Sequence, residues 1–268
     1  MKHLILTKKS QMDTTVRLSI LLIAAILLFT VLILITTDYG NKGATETCRT
    51  SVLTQKYTEV FGSSPISLEC ERRFIDIYPD HVELGYEPDK TKKINIYPNG
   101  KKISKYKELT NDIVNYVVAE EMRNCWYQFG EAKTEIFPND ESKLDIIGLS
   151  DDDICFICSE IRFIDVKNKE YEGLVDYLKN NYPKDAKYTY WDYFNQPSVS
   201  EYNMQEYLFS KGKNDMNKVW DNEIFKFKSE KIYAVTFYKD YDTVGKSEYQ
   251  VLVMPTNKLD EICEILAS

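Results

Sequence analysis

The hydrophobic pattern begins with one unbroken apolar run. Leu18 to Thr36 reads LSILLIAAILLFTVLILIT, nineteen residues with no charge, twelve of them Leu or Ile. As a helix this run spans roughly 28 Å, close to the ~30 Å hydrocarbon core of a bilayer. It predicts a transmembrane helix over 18–37. A cleaved secretory leader is shorter and ends in small residues of the Ala-x-Ala kind. Here the run ends in Thr36-Thr37-Asp38-Tyr39-Gly40, so an uncleaved signal anchor is expected.

Beyond the run the period changes. Val52, Lys56 and Val60 recur at four-residue steps with Leu53, Tyr57 and Phe61 beside them, which predicts a stalk helix over 38–62. Gly40 and Gly43 hinge it and Gly62-Ser-Ser-Pro65 ends it. Short alternating stretches come next at 73–78, 81–86 and 93–97, with Pro79-Asp80 and Pro98-Asn99-Gly100 as turns between them. They suggest an antiparallel meander. From Lys105 to Gly130 the period is helical again, carried by Leu109, Ile113, Tyr116, Val117, Met122, Cys125, Trp126 and Phe129. A polar stretch over 131–153 leads to a strand over 154–165, and a shorter helix is expected over 171–182, with Leu174, Val175 and Leu178 inward. Strands are expected at 223–228, 232–238 and 249–254, then a C-terminal helix over 258–266 capped by Thr256 or Asn257. The fold class is α+β: a membrane helix, a stalk helix, and a domain over 63–268 of antiparallel sheet packed with helices.

Charge sets the orientation. Residues 1–17 hold Lys2, Lys8, Lys9 and Arg17 against Asp13, and positive charge stays in the cytoplasm. The N-terminal tail is therefore expected inside and the C-terminal domain outside. The chain carries a net charge of −8. This acidity argues against nucleic acid as a partner, because phosphate binding needs a basic surface. The expected partners are the lipid bilayer and other envelope proteins or surface polymers.

Cys48, Cys70, Cys125, Cys155, Cys158 and Cys263 all lie after the anchor. Six cysteines in an oxidising compartment read as up to three disulfides. In a strand, Cys155 and Cys158 point to opposite faces about 10 Å apart, too far for a mutual bridge. Each then needs a distant partner, rather than forming the reactive pair of a redox C-x-x-C at a helix start. The expected pairing is Cys48 with Cys70, Cys125 with one cysteine of the 155/158 pair, and Cys263 with the other. A four-cysteine zinc site lacks a second close pair.

Residues 187–209 hold eight aromatics in twenty-three positions. Tyr188, Tyr190, Trp191, Tyr193 and Phe194 read either as a tyrosine-rich core edge or as a binding surface for sugars or proteins. The core edge has the better support, because tyrosine is frequent throughout the chain. His81 is the only histidine after the anchor, which narrows triads and multi-histidine metal sites. Asp240-x-Asp242 opens like a calcium loop, but Val244 and Val251 occupy ligand positions. Asp151–Asp153 read as a solvated turn. The chain holds ten glycines, with no Walker or G-x-G-x-x-G loop, no G-x-S-x-G and no Asn-x-Ser/Thr sequon. No catalytic residue, cofactor or metal is expected.

Two segments, MRNCWYQFGE from Met122 and CFICSEIRF from Cys155, resemble Cys-Trp-x-x-Phe-Gly-Glu and Cys-x-x-Cys-x-x-Ile motifs of uncharacterised single-pass membrane proteins from small archaeal genomes. The resemblance covers Cys48 to Phe163. It implies membrane placement and disulfides, and no activity.

Together these features point to a non-enzymatic, membrane-anchored structural or interaction protein of the cell envelope. Two alternatives remain open. A pilin-like filament subunit has the same architecture but needs a Lys/Arg-Gly processing site, which is missing. An anchored envelope hydrolase needs convergent acids, whose spacing is spatial and not sequential.

Overall fold

The computed structural model describes residues 22–23, 43–54, 69–132, 154–184, 186–195, 226–241, 247–261, 263 and 265–267. The chain divides into two units, Met1–Ala44 and Thr45–Ser268. In the first, Leu22 and Ile23 are helical and exposed. The rest of the apolar run 18–36 lies outside the described residues. Among the described residues no helix is long and apolar enough to cross a membrane.

The second unit is α+β and is built on a mixed sheet. Residues 43–54 are helical (α1), and 45–54 belong to this unit. The sheet strands are β1 (Arg73–Ile77), β2 (Val82–Gly85), β3 (Lys92–Lys93), β4 (Ile154–Phe163), β7 (Tyr233–Tyr241), β8 (Ser247–Pro255) and β9 (Ile265–Ala267). A separate ribbon pairs β5 (Glu170–Glu172) with β6 (Lys226–Lys228). The helices are α2 (Asn111–Gln128), α3 (Leu174–Asn180) and α4 (Tyr190–Phe194). The sheet order is β3-β2-β1-β4-β7-β8, with β9 also on β4.

The wholly antiparallel expectation is corrected. β1 runs parallel to β4, with Ile75 opposite Ile161, and β4 runs parallel to β9, with Cys155 opposite Leu266. A hairpin cannot make a parallel pair. The chain needs a crossover, and here it carries α2 onto one face of the sheet. The C-terminal helix is corrected as well. Residues Thr256–Glu261 form a 3-10 turn, after which Ile265–Ala267 join β4 as a strand. A bridge from Cys263 to Cys155 brings this segment onto the sheet.

Smaller shifts have local causes. The strand expected over 93–97 shrinks to β3 and a single bridge, Ile96 to Ile103, because Pro98 and the left-handed Asn99 and Gly100 turn the chain there. α2 starts at Asn111 rather than Lys105. Gly130 lies beyond its end with a φ of 67°. The helix expected over 171–182 begins with β5 and turns at Gly173, φ 92°, into α3. A side chain at Gly85 would meet the carbonyl oxygen of Lys90 at 2.7 Å, so the turn between β2 and β3 closes only over hydrogen.

α2 is buried on most of its circumference, including Val114, Val118, Ala119, Met122, Cys125 and Trp126. It lies between the sheet and the pair α3–α4, and being covered on both sides it buries the polar residues Asn115, Glu121 and Gln128 along with its apolar ones. Trp126 packs against Phe194 and Phe237, and Phe129 stacks on Phe237 with centroids 4.3 Å apart. α1 joins the same core through Cys48 and Val52.

Candidate functional site

Strand β4 organises the domain. Its ladder with β7 slips between Ile157 and Ser159, which leaves Cys158 as a bulge. Before the bulge, Cys155 and Ile157 face the small cluster that holds Leu252, Met254, Leu259 and Cys263. Phe156 and Cys158 face the main core with α2. The alternation of the strand thus separates the C-x-x-C pair, and each cysteine takes a distant partner. The bridges are Cys48–Cys70, Cys125–Cys158 and Cys155–Cys263, with Cα separations of 4.4, 5.5 and 5.5 Å. This agrees with the pairing expected from the sequence, which left open which cysteine of the 155/158 pair goes to Cys125 and which to Cys263.

The aromatic segment lies on the outer side of α2. Thr189 caps α4 with Asp192 in a reciprocal capping box. Tyr190, Trp191, Tyr193 and Phe194 are 0, 6, 6 and 3% exposed, whereas Tyr188 is 40% exposed and stacks on Tyr193. Residues 196–209 lie outside the described residues. Tyr190 donates to Glu120 at 2.5 Å, and Tyr193 donates to Glu131 at 2.7 Å. Arg123 holds the other oxygen of Glu120 with two nitrogens, at 2.9 and 3.2 Å. Burial first, and then the neighbouring carboxylate, push the phenols of Tyr190 and Tyr193 far above the usual tyrosine range. These phenols stay neutral and serve as fixed donors. They are not bases or nucleophiles.

A second polar cluster crosses the core. Arg73 of β1 meets Glu121 of α2 at 3.0 Å, both nearly buried, with Ser159 beside the carboxyl. Burial raises the Glu121 carboxyl and Arg73 opposes that shift. The charges are matched one to one, which braces β1 against the helix.

The outer face of β1 and β4 is polar. After the bulge the parity of β4 reverses, so Glu160 and Arg162 point outward. Arg162 grips Asp76 with two hydrogen bonds, at 2.7 and 2.9 Å, and Thr91 donates to Glu83 at 2.7 Å. His81 stacks on Tyr78, and its two ring nitrogens contact Asp80 at 2.6 Å and Glu83 at 3.2 Å. Both nitrogens are engaged by carboxylates. Asp240 lies in β7 opposite Glu248. Asp151–Asp153 lie outside the described residues. Among the described residues no three His, Cys, Asp or Glu side chains converge on a metal position.

The sheet edge beyond β2 has a different character. Lys90, Lys92 and Lys93 lie on and before β3, and Lys101, Lys102, Lys105 and Lys107 come after the Pro98 turn. All seven are exposed, and no acid occurs from 90 to 107. Of the seven, Lys90 pairs with Glu87 at 2.6 Å, and Lys93 and Lys105 help to hold the Asp80 carboxyl below its ordinary value. Lys184, from the loop after α3, adds its ammonium over the Tyr97 ring, 4.3 Å from the centroid. The net charge of the whole chain hides this segregation, whereas a charge count in an eighteen-residue window reveals it. No family model matches the chain, and no curated protein or solved structure is similar enough to register as a relative.

Proposed function

We propose that this chain is a membrane-anchored, extracytoplasmic protein of the cell envelope that works by binding and not by catalysis. One observation carries the reading. Three disulfides, which use every cysteine, all lie on the C-terminal side of a nineteen-residue uncharged apolar run. Such bridges persist in oxidising compartments, and an N-terminal run of this length with lysines before it exports the residues on its C-terminal side. The buried polar groups fit a scaffold. Glu120 and Arg123 are matched inside the fold, Glu121 pairs with Arg73, and His81 is held between two carboxylates.

The test is topology in intact cells. A tag on the carboxyl end should react with an impermeant label before lysis, and alkylation of the denatured, unreduced chain should find no free thiol. A carboxyl end labelled only after lysis, with titratable thiols, overturns the reading.

A further inference from the structure

We propose that the lysine edge around β3 is the docking surface for an acidic polysaccharide, an inference that rests on the extracytoplasmic placement above. β3 is the outermost strand on its side of the sheet. Lysine on an edge strand is a common guard against pairing with another chain, but only Lys92 and Lys93 lie on β3 itself. Here seven lysines fall within eighteen residues of sequence that hold no acid, in a chain whose net charge is −8. Like charges at this density repel. Lys90 pairs with Glu87, and Lys93 and Lys105 share the single carboxylate of Asp80, so among the described residues the lysines outnumber the acids that face them. An external polyanion would supply the remaining counter-charges and release its own small ions on docking.

The shape and chemistry of the edge favour a sugar polymer over a lipid surface. Lys92 and Lys93 are adjacent in a strand and leave it on opposite faces, both exposed. The positive charge therefore wraps a ridge, which a flexible chain can follow and a flat membrane can touch on one side only. The hydrophobic residues of the segment, Ile94, Ile96, Tyr97, Ile103 and Tyr106, are buried or half-buried. That leaves no apolar wedge to enter a bilayer. Asn95, Asn99 and Ser104 are exposed between the lysines. Their amides and hydroxyl can bond sugar hydroxyls, which a bare polyphosphate does not offer.

The test uses the full chain in neutral detergent with polygalacturonate as the polyanion and neutral dextran as the control. The wild type should bind polygalacturonate, more weakly as salt rises, and should ignore dextran. K92Q/K93Q/K101Q/K102Q should bind at least tenfold more weakly with an unchanged circular dichroism spectrum, and the four-arginine counterpart should keep binding. No binding by the wild type, equal binding by the glutamine variant, or tighter binding to single-stranded DNA or phosphatidylglycerol vesicles overturns the proposal. The topology experiment reads separately. A carboxyl end outside the cell with no polymer binding removes this partner and leaves the placement standing. A carboxyl end in the cytosol removes the placement, and with it this partner, whatever the polymer assay reads.

Discussion

A phenol buried beside a carboxylate has few options, and Tyr190 shows the consequence. Its ring has no exposure, and its hydroxyl donates to the partly exposed Glu120. Tyr116, Tyr177 and Tyr193 are also raised from the ordinary value near 10, with burial as the first cause in each. A group raised in the folded state contributes stability that is fully present below its unfolded pKa and is lost as pH rises through the folded one. Alkaline stress should therefore act in the region above pH 10. The tyrosinate absorbance of these four rings is expected to rise only together with the loss of helical circular dichroism. Smooth ionisation of all the rings without unfolding would contradict the burial. The Arg73–Glu121 pair makes a second residue-scale case. R73M alone strands a buried carboxylate and should cost about 3–5 kcal/mol, whereas R73M/E121L should recover most of that loss. Urea denaturation of the two variants and the wild type measures the difference.

Among the elements, β4 bears the most consequences, since it reaches α2 through Cys158 and the C-terminal segment through Cys155. Removing the Cys155–Cys263 bridge by double alanine substitution should cost about 2–5 kcal/mol, because it frees a long loop in the unfolded chain. Amide exchange should then accelerate first in 256–267, with α2 still protected. Uniform acceleration would mean that the bridge braces the whole sheet. This strand was legible in the sequence, because Ile154–Phe163 is rich in β-branched and aromatic residues and its two cysteines fall on opposite faces whatever the strands beside it. Pairing direction was not legible. The residues of β1 read identically in a parallel or an antiparallel ladder, and only the route of α2 decides between them. β9 was hidden for another reason: Cys263, Ile265 and Leu266 fit an amphipathic turn until a covalent tie draws them onto the sheet. The Arg73–Glu121 pair joins positions 48 residues apart, and no local pattern reports such a match. The α4 capping box was legible in principle, as a threonine three residues before an aspartate, but it sits inside an aromatic stretch whose rings dominate the pattern.

For the whole molecule, the bridges also set how far the chain can be drawn out under load. The shortest covalent route from Cys48 to Cys263 crosses the first bridge and runs along the chain from Cys70 to Cys125. It then crosses to Cys158, steps back to Cys155, and crosses again. At about 3.4 Å per residue this is roughly 200 Å of fully stretched length, against roughly 730 Å along the backbone. Single-molecule pulling between these two ends should give the short extension, and the long one after a reductant is added. If one end is held in the envelope while a partner tugs on the other, the protein behaves as a short leash. Even a torn domain would keep its cargo within a few hundred ångströms of the surface.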